Sequence, residues 1–215
     1  MSFGEVRVEH GVTFPSGELT LEGLLSVPAV SPSVAVVICH PHPLYGGDMR
    51  NNVVSGLARA FQAAGMVTLR FNFRGVGAST GTHDDGAGEA DDVTSAVSFL
   101  MSQVAAPVVA VAGYSFGAMV GLRAGADDPR VSKLVGVALP IVRRDPSFLI
   151  GVAKPKLLIV GDDDAYAPLA KFQQLVGELD EPKAAVVVEG ADHFFAGVEG
   201  EIATVAAAFL RGETI

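Results

Sequence analysis

Tryptophan is absent from the 215 residues, and cysteine occurs once, at Cys39. One cysteine excludes an intrachain disulfide and a multi-cysteine metal cluster, and it agrees with a reducing compartment. Basic residues are few. The 15 Lys and Arg stand against 24 Asp and Glu, and the net charge of −9 repels phosphate backbones and anionic lipid heads, so nucleic acid is not an expected partner. No apolar run approaches the roughly 18 residues that cross a bilayer, and the start MSFGEVRVEH has neither a basic n-region nor an apolar h-region. A soluble, cytoplasmic chain without membrane contact is expected. Internal repeats, low-complexity tracts and Pro/Ser-rich linkers are also missing, so one domain over residues 1–215 is expected.

What the chain has is apolar patterning: 49% of it is hydrophobic, enough to bury a substantial core. GEVRVEHGVTF and ELTLEGLLSV alternate with period two around the turn PSGE and read as an antiparallel hairpin. SVAVVICH is a continuous apolar run, as in a strand buried on both faces. From there helix-like and strand-like segments alternate to the end, roughly eight strands and six helices in βα order. The expected fold is α/β: a mostly parallel sheet of about eight strands with helices on both faces.

Within VVAVAGYSFGAMV (residues 108–120), the pentapeptide GYSFG places Ser115 where a strand turns into a helix. A turn that sharp strains the backbone at Ser115 and leaves no room for side chains at Gly113 and Gly117. It holds the hydroxyl over the carboxyl edge of the sheet, at a helix N-terminus whose dipole favours developing negative charge. A GxSxG pentapeptide alone is weak, because a serine hydroxyl needs a base and a carboxylate to become a nucleophile. Both occur past later strands. GDDDAYAP follows strand 156–160 and EGADHFF follows strand 185–189, giving the chain order serine, acid, histidine that this architecture uses.

Together with HPHPLYGGDMRNNVV and LRFNFRGVGASTG, these segments resemble the α/β-hydrolase superfamily over nearly the whole chain, in particular small lidless bacterial serine hydrolases related to dienelactone hydrolase and carboxylesterase. The resemblance implies Ser115 as nucleophile, His193 as general base, and Asp164, third after the glycine and ahead of Pro168, as the acid. Asp162 and Asp163 are then turn residues, and Asp192 cannot easily reach around to its own neighbour's ring. The oxyanion hole is expected from the N–H of Phe116 and a donor in HPHPLYGG. Proline has no N–H, which leaves His42, Leu44 or a later residue, and the resemblance implies His42.

Only about 15 residues separate strand 132–139 from strand 155–160, too few for a cap domain. An open, small site is expected, lined by Leu44, Tyr45, Phe116, Ile141, Phe194 and Phe195, taking short-acyl esters. His40, His42 and His83 do not match a zinc-binding spacing, so neither metal nor cofactor is expected. Arg74 is expected to pair with a carboxylate or carbonyls and shape its loop, and Cys39 to be a buried small hydrophobe. The expected activity is a serine hydrolase cleaving small esters, with the chain a monomer or homodimer. An acyltransferase, a C–C or lactone hydrolase and a non-catalytic small-molecule-binding homologue are the alternatives.

Overall fold

The computed structural model describes residues 8–29 and 31–214. The sheet has eight strands: β1 (His10–Ser16), β2 (Leu19–Ser26), β3 (Val34–Cys39), β4 (Val67–Phe71), β5 (Val108–Tyr114), β6 (Lys133–Val137), β7 (Lys156–Gly161) and β8 (Lys183–Val188). Their spatial order is β1-β2-β4-β3-β5-β6-β7-β8. The hairpin β1–β2 joins β4 antiparallel, and every other pairing is parallel. Of the strand expected over residues 4–14, residues 4–7 lie outside the described residues, and β1 begins at His10.

Five α-helices are present among the described residues: α1 (Asn52–Ala63), α2 (Ala87–Gln103), α3 (Phe116–Asp127), α4 (Leu169–Glu178) and α5 (Glu199–Arg211). Roughly six were expected; the five helical segments read in the sequence are all present, and the connection from β6 to β7 holds a one-turn 3₁₀ segment, Ser147–Leu149, and no cap domain. Period two divides the strands between two cores. On β3, Ala35, Val37 and Cys39 face the core shared with α2, α3 and α4, while Val34, Val36 and Ile38 face that shared with α1 and α5. Burial on both faces is why β3, β4 and β7 read as unbroken apolar or small-residue runs, with Arg70 and Lys156 inserted; the edge strand β8 is only partly buried.

The order places the site. β4 lies on one side of β3 and β5 on the other, so the chain reverses its direction of travel across the sheet between β3 and β5. In open parallel sheets the crevice at the carboxyl ends of such strands is where ligands bind. The loop after β3 and the turn after β5 flank that point.

Candidate active site

Ser115 forms the turn from β5 into α3 with φ 55° and ψ −118°, a conformation that non-glycine residues keep only when their surroundings over-determine it. Its N–H donates to the Val137 carbonyl at 2.9 Å, and its own carbonyl accepts the Met119 N–H at 3.1 Å. The flanking glycines are required by close approach. A Cβ on Gly113 would lie 2.3 Å from the Gly117 carbonyl oxygen, and one on Gly117 would lie 2.3 Å from that of His40. The helix therefore packs directly on the end of β3.

Asp164 and His193, from the two later loops, converge on this turn. Ser115 Oγ is 2.9 Å from His193 Nε2, and His193 Nδ1 is 2.8 Å from Asp164 Oδ2. Asp164 is 2% exposed, and its Oδ1 also accepts the N–H groups of Tyr166 (2.8 Å) and Ala167 (3.0 Å). A carboxylate so held requires the proton on His193 Nδ1 and leaves the Nε2 lone pair facing the serine hydroxyl. The neighbouring aspartates do other work. Asp162 Oδ1 accepts the Gly190 N–H at 2.7 Å, Asp163 is exposed, and Asp192 Oδ1 accepts the Phe194 N–H at 2.9 Å. Tyr114 adds a brace, its hydroxyl donating to the His193 carbonyl at 2.8 Å; burial raises the pKa of that phenol, which keeps it a donor.

Opposite the histidine lies the loop after β3. The N–H of Phe116, first residue of α3, has no intrahelical acceptor. In the loop, Leu44 N–H donates to His42 Nδ1, Tyr45 and Gly47 N–H to the His42 carbonyl, and Gly46 N–H to the Pro43 carbonyl. Within 41–47 the remaining backbone donor is therefore that of His42, because Pro41 and Pro43 have none. The His42 ring packs on Tyr45, His83 and Phe116 at centroid distances of 4.7, 5.0 and 4.8 Å.

His40, at the foot of this loop, is fully buried. Its Nε2 accepts the Phe73 N–H at 3.0 Å, so its proton is on Nδ1, which donates to the Pro41 carbonyl at 2.7 Å. Burial drives its pKa down to about 4, so the ring is neutral. A histidine whose folded pKa lies below its unfolded value of about 6.5 stabilises the fold fully above that pH, and the contribution disappears as the pH falls towards 4. The loss is on the order of 3 kcal/mol. Thermal melts are expected to show a falling Tm from pH 7 to pH 4, with a flatter decline in His40→Gln from a lower starting Tm. Equal slopes in the two proteins would remove His40 as the cause.

The rim departs in part from the expectation. Leu44, Tyr45 and Phe194 are 70%, 87% and 60% exposed on the two loops beside Ser115 and His193. Phe195, by contrast, is fully buried in the core of α1 and α5 and does not line the site: its backbone takes φ 54°, and the chain turns its ring inward. The Phe116 side chain is buried as well, so only its backbone faces the opening. Ile141 packs against the core of α2–α4 and lines a cleft with Asp145, Pro146, Ile150, Lys171 and Leu175, which contains none of Ser115, Asp164 and His193.

Sequence reasoning missed several residues around the site. The Tyr166 ring packs at a tilt against the His193 ring at 4.6 Å, Arg144 sits over Phe116 at 5.0 Å, and His83 Nδ1 lies 2.8 Å from Glu89 Oε1. No motif marks them: the contacts of Tyr166 and Arg144 join segments far apart in sequence, and that of His83 crosses a turn. Arg74 does pair with a carboxylate: Asp92, fully buried, receives its guanidinium at 2.8 Å and also Ser16 Oγ at 2.8 Å. Cys39 is buried and free, its thiol pKa pushed up by burial. No group of residues able to hold a metal ion, and no helix long and apolar enough to cross a membrane, occurs among the described residues.

Residues 34–154 match the family model for the alpha/beta hydrolase fold, and the chain belongs to that family. It is a hydrolase of the lidless kind. An uncharacterised protein of Rickettsia prowazekii is 33% identical over 177 residues, 78% of this chain and 74% of that one. Among solved structures, an alpha-beta serine hydrolase homologue from Coxiella burnetii is 34% identical, covers 97% of this chain and 100% of its own, and superimposes with a TM-score of 0.84. A serine hydrolase without a lid from Xanthomonas campestris is 30% identical over 96% of each chain, also with a TM-score of 0.84.

Proposed function

We propose that the protein is a serine esterase for small, short-acyl esters, working through an acyl-enzyme on Ser115. The observation that carries this reading is the unbroken hydrogen-bonded line from Ser115 Oγ through His193 to Asp164. Ser115 Oγ attacks the ester carbonyl carbon while His193 Nε2 takes its proton. Asp164 holds the ring's tautomer and stabilises the imidazolium. The carbonyl oxygen becomes an oxyanion within reach of the Phe116 and His42 N–H groups, at the N-terminus of α3. His193 returns the proton to the leaving alkoxide as the C–O bond breaks. A water molecule, deprotonated by the same nitrogen, then releases the acid and restores the serine.

Support for short chains comes from the rim. With Leu44, Tyr45 and Phe194 exposed and no cap above them, little apolar wall is available, and each added methylene contributes about 0.8 kcal/mol only where such a wall exists. A fluorophosphonate probe is expected to label Ser115 and no other serine. In a series of nitrophenyl esters, kcat/KM is expected to peak between acetyl and hexanoyl and to fall by decanoyl, without activation at an oil–water interface. A label elsewhere would overturn the nucleophile; a decanoyl preference would overturn the substrate class.

A further inference from the structure

We infer that His83 is a specificity residue, accepting a hydrogen bond from a hydroxyl that the substrate's acyl group carries next to the ester carbonyl. The inference rests on the esterase reading and names the substrate more closely.

His83 stands in the segment between β4 and α2, and its side chain is only 14% exposed. Glu89, fully buried, accepts the N–H groups of Asp84 at 3.0 Å and Gly86 at 2.8 Å as well as His83 Nδ1. A carboxylate only accepts, so Nδ1 carries a proton, and in the neutral ring Nε2 presents a lone pair. That nitrogen has no hydrogen-bond partner. Among the described residues no buried side-chain nitrogen or oxygen lacks one, so Nε2 lies in the part of the ring that reaches solvent. The ring is 5.0 Å from that of His42, whose N–H is the loop's spare donor, and 5.5 Å from that of Phe116, the residue after Ser115. His83 therefore packs on the side chains of the two residues that carry those N–H groups, coming from the β4 side of Ser115, away from β8 and His193.

Charge decides what this wall can bind. The neutral His83 ring carries no charge and the neighbouring Arg144 is paired with Asp85, so no unpaired cation waits for an anion. What remains open is one oriented acceptor, which suits a neutral donor. The substrate group nearest the oxyanion donors, other than the oxygen itself, is the substituent on the carbon next to the carbonyl. A site built around a hydroxyl discriminates against an analogue lacking it, because the unmatched group loses its hydrogen bond to water without replacement.

The test compares phenyl lactate with phenyl propionate, each kcat/KM divided by that ester's rate with hydroxide to remove intrinsic reactivity. The wild type is expected to prefer the hydroxy ester about tenfold. The ratio should fall to about one in His83→Phe and recover in part in His83→Gln, whose amide oxygen accepts. Because each ratio is taken within one protein, partial misfolding cancels from it. Equal rates in the wild type, a preference that survives His83→Phe, or a stronger preference for the phenyl monoester of malonic acid would overturn the inference and leave the esterase standing. No turnover of either ester would overturn both.

Discussion

Replacing Ser115 by alanine is expected to lower kcat on short esters by about 10⁶-fold while leaving the melting temperature close to that of the wild type. The magnitude follows from losing the nucleophile outright. The residual rate comes from the oxyanion donors and from binding, neither of which needs the hydroxyl. The fold should survive, because alanine keeps the Cβ and the backbone at this position is fixed by the Ser115 N–H to Val137 and the Met119 N–H to Ser115, neither of which uses the side chain. Groups that act as a unit are not additive, so the double variant Ser115→Ala/His193→Ala should be no slower than Ser115→Ala. A further large drop in the double variant would mean that His193 works on some other nucleophile.

The second large effect is expected at Asp164. Asp164→Asn should lower kcat by about 10⁴-fold with little change in stability. The direction follows from the hydrogen bonds. Asp164 Oδ1 accepts two backbone N–H groups, so the amide oxygen of asparagine must take that place. Its NH₂ then occupies the Oδ2 position and donates to His193 Nδ1. That forces the ring proton onto Nε2, where it points at the serine and cannot accept from it. Asp162→Asn keeps an oxygen for Gly190, and Asp163 faces solvent, so each should cost less than about tenfold. Steady-state kinetics on the three variants decides the matter, and a larger loss at either neighbour would displace Asp164 from its role.

Most of the layered sheet was legible in the sequence because strands buried on both faces cannot carry many polar residues, and because their spacing left room only for helices between them. The elbow was legible for a steric reason: two glycines flanking a serine mark backbone that approaches other backbone, and His40 and Gly117 supply the partners. The loops were less so. Phe194 and Phe195 are chemically identical neighbours, yet one is 60% exposed and the other wholly buried. No periodicity applies in a loop to tell them apart. His40 and His83 illustrate the other limit. Their roles depend on Phe73 and Glu89, and a single sequence contains nothing that couples a histidine to a distant N–H or, across a turn, to one carboxylate among several. The connection from β6 to β7, IVRRDPSFLIGVAKP, holds no α-helix because Pro146 and Gly151 interrupt it before two turns can form.

The two loops that carry the acid and the base are joined to each other as firmly as to the sheet. Asp162 accepts the Gly190 N–H, the Asp163 N–H donates to the Ala191 carbonyl, and a Cβ on Gly161 would lie 2.1 Å from that same carbonyl oxygen. They form a single cassette. For anyone grafting new specificity onto this scaffold, the β7–α4 and β8–α5 loops must be exchanged as a pair, since a donor loop of different length on one side would carry Asp164 or His193 out of register with the other. Diversity at the site is more readily introduced from the opposite bank, at the tips where the loop after β3 and the segment around His83 meet through packing of the His42 and His83 rings.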